Sequence, residues 1–195
     1  MLRYYIASIV AATAAIAGAN AVFVAPTCEI SFTFVLIITL LSVAEAFAID
    51  AVIALTVRYL IPKSFYDPLA KRFRCHKKEK KLYVKLGIRK WKDKIPETGG
   101  MLVGFQKKKA TDLHDNAYVY KFMQETCYAE VMHVWSIPAG FIILALCPTT
   151  LRLTVALPVA VVNAILQLLP VAVQRFIRPQ LLRVYVKNEK RIQNS

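Results

Sequence analysis

Between Tyr4 and Val24 the chain carries no charged residue. Such a run, at about 1.5 Å of rise per residue, crosses a hydrocarbon core about 30 Å thick. A water-soluble helix would place polar residues on its wet face every three or four positions. In lipid every backbone N–H and C=O must be satisfied inside the segment, so a spanning run has to be helical or part of a closed barrel. Further apolar runs follow at about 30–59, 131–147 and 153–173, the second long enough to cross with tilt. The expected fold is therefore an all-α integral membrane protein of four transmembrane helices, a single membrane domain over 1–195. A basic loop at about 60–125 containing interfacial helices and a tail at 174–195 complete it. Arg3 and Ala19-Asn20-Ala21 give the first run some look of a signal peptide, but it is expected to be retained as a span. Ala7, Ala11, Ala15 and Ala19 form a ladder on which another helix would pack closely.

Charge is distributed unevenly. Apolar residues make up 57% of the chain, yet 26 Lys and Arg stand against 12 acids. Eighteen of these bases lie between Arg58 and Lys121, one precedes the first span and six lie in the tail. Four spans put all of these on one side and leave only Arg152 opposite. The bias of Lys and Arg toward the cytoplasm then predicts a multi-pass protein of the cell membrane, with both termini and the central loop cytoplasmic.

Within that loop Phe65, Tyr66, Leu69 and Phe73 are expected in the interface, with Lys71, Arg72 and Arg74 reaching lipid phosphates. Leu82 to Ile88 fits either a short strand or a helix from Glu79 stopped by Gly87. Gly99-Gly100, after Ile95-Pro96, predicts a flexible loop. Thr111 and Asp112 are N-caps for a helix beginning near Leu113 and running into the third span. No Gly-rich phosphate loop is present, and a basic loop beside four spans argues poorly for nucleic acid. Cys28, Cys75, Cys127 and Cys147 contain no Cys-x-x-Cys pair, so neither zinc nor a disulfide framework is expected.

The chemistry-bearing residues concentrate at Glu125-Thr-Cys-Tyr-Ala-Glu130-Val-Met-His133. On a helix Glu125, His133, Thr126 and Glu130 fall at roughly 0°, 80°, 100° and 140°, one face with the imidazole between two acids. Cys127, at roughly 200°, points away from it. Glu45 and Asp50 lie within the second span, where a carboxylate is either functional or a hydrogen-bonded lock between helices. Asp50, nearer the surface marked by Tyr59, is the better partner for a cavity shared with His133. The fourth span carries the amides Asn163 and Gln167. Glu130-x-x-His133 has the spacing of half a di-iron site, but the chain holds no second such pair and no metal is expected.

Tyr83, Lys85, Leu86, Ile88, Lys90-Trp91-Lys92-Asp93 and Pro96-Glu97 are followed by Phe122, Glu125-Thr126-Cys127, Ala129-Glu130 and His133. Pro170 and Gln174-Arg175-Phe176-Ile177-Arg178 complete the series. In this order it resembles the glycosyl-4,4'-diaponeurosporenoate acyltransferase family over roughly residues 62 to 184. The resemblance implies a small membrane enzyme that esterifies a sugar hydroxyl of a glycosylated carotenoid with a fatty acyl group. Phe176-Ile177 stands where the family usually has Tyr-Asn, and Leu168 where it has Asn. These departures bear on the acceptor rather than on the reaction type.

Acyl transfer suits the residues. An alcohol attacking a thioester needs a base near neutral pH, which a histidine oriented by a carboxylate supplies. His133 is expected as that base, Glu130 or Glu125 as the group holding its tautomer, and Arg175 as the cation for the oxyanion or a donor phosphate. Trp91, Lys92, Thr126, Gln174, Arg178, Asp50 and Asn163 are expected to bind substrate. No cofactor is implied beyond acyl-CoA or acyl carrier protein as co-substrate. The basic loop would attract such a donor, or simply adhere to anionic membrane lipid. The acceptor would be a lipid, glycolipid or isoprenoid, and a homo-oligomer is compatible with the alanine ladder. Two other classes remain open: a membrane reductase, isomerase or metal-dependent oxidase acting on a lipid or isoprenoid, and a non-catalytic scaffold subunit.

Overall fold

The computed structural model describes residues 2–95 and 113–194. Among them are four helices long and apolar enough to cross a membrane, Arg3–Val24, Phe32–Leu60, Asn116–Leu146 and Thr149–Gln193, and no strand. The expectations for Pro96, Gly99-Gly100, Thr111 and Asp112 lie outside the described residues. The chain forms two compact units, one of Met1–Thr56 with Met132–Leu168 and one of Val57–Val131 with Leu169–Ser195.

In the first unit, α1 (Leu2–Ala19) widens into a π-helical turn at Asn20–Val24, and Ser31 caps α2 (Phe32–Leu55) by accepting from the Phe34 N–H. Its core is aliphatic, with Val35, Ile143, Leu151 and Val155 sealed, and with Ala46, Ala156 and Ala160 letting backbones approach. Asn20 ties α1 to the last helix, its amide donating to Thr154 O at 2.7 Å. Thr154 lies in the π-helical turn Arg152–Ala156. Ile37, Leu40, Leu41, Val52, Leu153 and Ile165 are all exposed. A surface this apolar fits lipid, which rewards apolar exposure where water penalises it. The alanine ladder is exposed too: Ala7, Ala11, Ala15 and Ala19 face outward while Tyr5, Ile9, Ala12, Thr13 and Ile16 turn inward. The close intramolecular packing of α1 thus uses a different face.

The second unit contains the basic central segment and the last part of the chain. Short 3-10 turns, Lys63–Tyr66 and Lys71–Phe73, precede α3 (Lys77–Lys85) and α4 (Ile88–Trp91). The ambiguity at Leu82–Ile88 resolves as helix, ended by Gly87 in the left-handed region at φ 63°, where a Cβ would be strained. Tyr66 and Phe73, expected at the membrane surface, are instead buried. Tyr66 stacks on Tyr128 at 3.8 Å between ring centres and donates its hydroxyl to Val57 O. Burial pushes that hydroxyl up to about 12. Tyr83, Ile88, Val173 and Phe176 form one core, and Val119, Phe122, Met123 and Leu181 another.

The third spanning helix, α5 (Asn116–Ala139), begins later than Leu113, which lies in a turn. Asp115 accepts from the Ala117 N–H and so supplies the start signal. The segment 174–195, read from sequence as a tail, is helical to Gln193 as part of α6 (Leu157–Gln193).

Candidate active site

Within the first unit, three helices bring an imidazole, two amides and a carboxylate into one chain of hydrogen bonds. His133 comes from α5, Asp50 from α2, and Asn163 and Gln167 from successive turns of α6, where i and i+4 side chains share a face. Gln167 Nε2 donates to Asp50 Oδ2 at 2.5 Å, and His133 Nδ1 meets Gln167 Oε1 at 2.5 Å. Asn163 Oδ1 accepts from Gln167 Nε2 at 3.3 Å, and Asn163 Nδ2 lies 3.5 Å from Asp50 Oδ1.

With Asp50 ionised, the order of these groups favours one arrangement of the protons. A carboxylate only accepts, so Gln167 turns its NH₂ to Asp50 and its carbonyl to His133. That carbonyl also only accepts, so the proton of a neutral His133 sits on Nδ1 and the lone pair on Nε2. Gly140 makes room for the arrangement, since a Cβ there would come 2.8 Å from Asn163 Nδ2.

The two acids expected beside His133 are drawn to arginines in the second unit. Arg58 Nη1 lies 3.0 Å from both oxygens of Glu125, with its guanidinium over the Tyr128 ring. Glu130 meets Arg175 Nη1 through Oε1 at 2.5 Å and Arg178 Nη2 through Oε2 at 2.6 Å. A formal cation nearby outcompetes a neutral imidazole for a carboxylate, and the neutral amide of Gln167 takes the orienting position at Nδ1 in their place.

The arginines themselves are closely held. Arg178 is 3% exposed and donates to Thr126 Oγ1, Thr126 O and Phe73 O. Thr126 is fully buried and donates onward to Met123 O. Arg178 and Thr126, expected to bind substrate, therefore satisfy each other inside the fold. Arg175 donates from Nε to Glu79 Oε1, and from Nη2 to Glu79 Oε2 and Arg74 O. With Glu130 on Nη1 as well, its donors are turned to protein acceptors rather than outward to an oxyanion. Glu79 also accepts from the His76 N–H at the start of α3 and from the Tyr83 hydroxyl. The Arg175 guanidinium and these donors hold the Glu79 carboxyl at about 2. Burial and then the Glu79 charge push the Tyr83 hydroxyl above its ordinary range.

Of the remaining expected residues, Gln174 is buried, and Trp91 donates from Nε1 to Leu86 O. Lys92 pairs with the neighbouring Asp93 at 2.8 Å. Cys127 is fully buried. Among the described residues no three His, Cys, Asp or Glu side chains gather as a metal site. Sequence reasoning assigned no site role to Gln167, Arg58 or Glu79. The signal for Gln167 was its spacing from Asn163, two amides four residues apart in a lipid-facing span. Glu79 is the one acid between Asp67 and Asp93.

These features define a polytopic helical membrane protein that carries an oriented histidine within its spans. Its segment 62–187 matches the glycosyl-4,4'-diaponeurosporenoate acyltransferase family. That match extends over well more than half of the chain, which belongs to this family and is a membrane acyltransferase. Neither a curated protein nor a solved structure matches the chain. Helices α1 and α2, with Asp50, lie outside the matched segment.

Proposed function

We propose that this protein transfers a fatty acyl group from a thioester donor to a hydroxyl of a glycosylated carotenoid or a related lipid or isoprenoid, with His133 as general base. The observation that carries the reading is the His133–Gln167–Asp50 chain, which suits a neutral imidazole that donates from Nδ1 and keeps its lone pair on Nε2. In the reaction, Nε2 takes the acceptor hydroxyl proton as its oxygen bonds to the thioester carbonyl carbon. The C–S bond then breaks, and the imidazolium returns the proton to the departing thiolate. The products are an ester and a thiol, and His133 ends neutral as it began. Asp50 acts through Gln167 to orient the ring and to stabilise its charged form.

The donor would be acyl-CoA or an acyl carrier protein, both polyanionic, and the exposed lysines 77, 78, 81 and 85 on α3 suit such a partner. Both termini and this basic segment are assigned to the cytoplasm, on the strength of the basic residues placed there by four spans. Cys28, exposed between the first two spans, should then react with a membrane-impermeant maleimide applied to intact cells. Labelling only after lysis would reverse the orientation.

The direct test is His133→Ala, followed by lipid mass spectrometry of cells for an acylated species and its hydroxylated precursor. The variant should lower acyl transfer by about 10²–10⁴-fold, the usual contribution of a positioned base. A folded variant with full activity would rule out the role.

A further inference from the structure

Three helices of the first unit turn matching stripes toward one another. On α1 the stripe includes Tyr5, Ile9, Ala12 and Ile16; on α2 it is Val43, Ala46 and Phe47; on α6 it is Val159, Val162, Asn163 and Leu166. Each repeats at three- and four-residue intervals, so each is a single helix face. Together they bound a narrow cleft that is partly open to the surroundings.

The polarity of this cleft is one-sided along its length. Asn163 belongs both to its wall and to the hydrogen-bond group of Asp50 and Gln167. The next position of the α2 stripe after Val43, Ala46 and Phe47 is Asp50 itself. Tyr5, near the start of α1, lies at the Asp50 end of the cleft. Moving away from Asp50, α2 presents Ala46 and then Val43, roughly 6 and 10 Å along the axis. On α1 the wall runs from Tyr5 past Ala12 to Ile16, and on α6 it ends in Val159. The one hydroxyl along this stretch, that of Thr13, is already bonded to Ile9 O.

An occupant must therefore be polar at one end and aliphatic for the rest. We infer that this cleft holds the acyl chain of the transferred group. The carbonyl would lie by Asn163, and the tail would run between α1, α2 and α6 past Ala12 and Ala46. The inference rests on the acyl-transfer reading above. Asn163 joins the cleft wall to the histidine group, since it accepts from Gln167, whose carbonyl meets His133. Asn163 Nδ2 makes a long 3.5 Å approach to Asp50, and an amide nitrogen carries two hydrogens, so a second can be offered to a carbonyl oxygen. The small side chains of Ala12 and Ala46 leave the space that the chain fills, and they set how many methylenes fit. Because α1 and α2 lie outside the matched segment 62–187, the walls that measure chain length belong largely to this chain's own sequence.

The test compares wild type with Ala12→Phe, Ala46→Val and the outward-facing control Ala11→Phe, each expressed in cells. Mass spectrometry reads total acyl transfer and the acyl-chain length of the product separately. Ala12→Phe and Ala46→Val should shift the product toward shorter chains, with at least about a tenfold change in preference for each methylene excluded. Ala11→Phe should leave the distribution as in wild type. Ala46→Val adds only two methyl groups, so it reads the cleft even where the larger phenylalanine disturbs folding. Wild-type chain-length distributions in both cleft variants, or an equal shift in the control, overturn the inference. Absence of any acyl transfer by the wild type would instead overturn the functional reading, a result distinguishable from unchanged chain length.

Discussion

The two units solve the problem of buried polarity in opposite ways. In the first, one carboxylate and one imidazole are joined through neutral amides, Gln167 and Asn163. In the second, Glu79, Glu125 and Glu130 are each matched by arginine. Full charges are costly at membrane depth, and dipoles placed between them lower that cost. An amide chain also fixes which nitrogen bears a proton, whereas arginine, always protonated, fixes only position. On the function proposed above, the contrast separates a group arranged to accept a proton from a group that ties backbone segments together.

The sharpest way to break this contrast is Arg178→Ala. It would leave Glu130 with one cation fewer and strip Thr126 O and Phe73 O of their donor, inside a site from which Arg178 is hardly exposed. Removing one partner of a buried ion pair costs about 3–5 kcal/mol, so thermal unfolding in detergent should fall by many degrees. Arg178→Lys should restore little, because a lysine cannot donate in three directions from a planar fork. A wild-type melting temperature in Arg178→Ala would mean that the arginines do not hold the unit together.

Gln167→Leu tests the other side. His133 Nδ1 and the Asp50 carboxylate would each lose a hydrogen-bond partner, worth about 1–3 kcal/mol, or roughly ten- to a hundredfold in rate. The loss should fall on kcat more than on KM and should displace the pH–rate profile, because Gln167 positions the base without touching substrate. A loss confined to KM would place Gln167 in substrate binding instead.

How much of this was legible in the sequence follows from the same contrast. Spans announce themselves, because twenty uncharged residues have no other stable environment: the first two runs lie within two residues of the apolar helices Arg3–Val24 and Phe32–Leu60, whereas the third helix begins at Asn116 and the fourth continues to Gln193, well beyond the uncharged runs. The helix wheel also placed Glu125, Thr126, Glu130 and His133 on neighbouring directions of one helix. A wheel says which way a side chain leaves its own axis, but not which partner from another helix reaches it first. Glu130 lies roughly 60° from His133 on that wheel, close enough to suggest a pair. Arg175 and Arg178, 45 and 48 positions later in sequence, nevertheless take both its oxygens. The continuation of the fourth helix to Gln193 was hidden for a related reason. Charged residues and Pro179 look like a tail until Leu181 and Phe176 are seen buried against α3, α4 and α5 side chains of the same unit.

The smallest expected effect isolates Glu79, which is partly exposed and so partly screened. Its carboxyl lies at about 2 against an ordinary 4.5, because Arg175 and then Tyr83 and the His76 N–H donate to the charged form. A carboxyl depressed on folding stabilises the folded state above its unfolded value, and that contribution disappears as pH falls from about 4.5 toward 2. Glu79→Gln should therefore destabilise the second unit by about 1 kcal/mol at pH 7. The difference from wild type should shrink steadily below pH 4.5. Amide hydrogen exchange along Lys77–Lys85, followed from pH 7 to pH 2.5, reads this directly, since Glu79 also caps that helix. A gap between variant and wild type that stays constant over the whole range would assign the stabilisation to helix capping by a neutral side chain. The ion pair with Arg175 would then contribute nothing, and the division between a charge-matched unit and a neutral relay would have to rest on Arg178 and Glu130 alone.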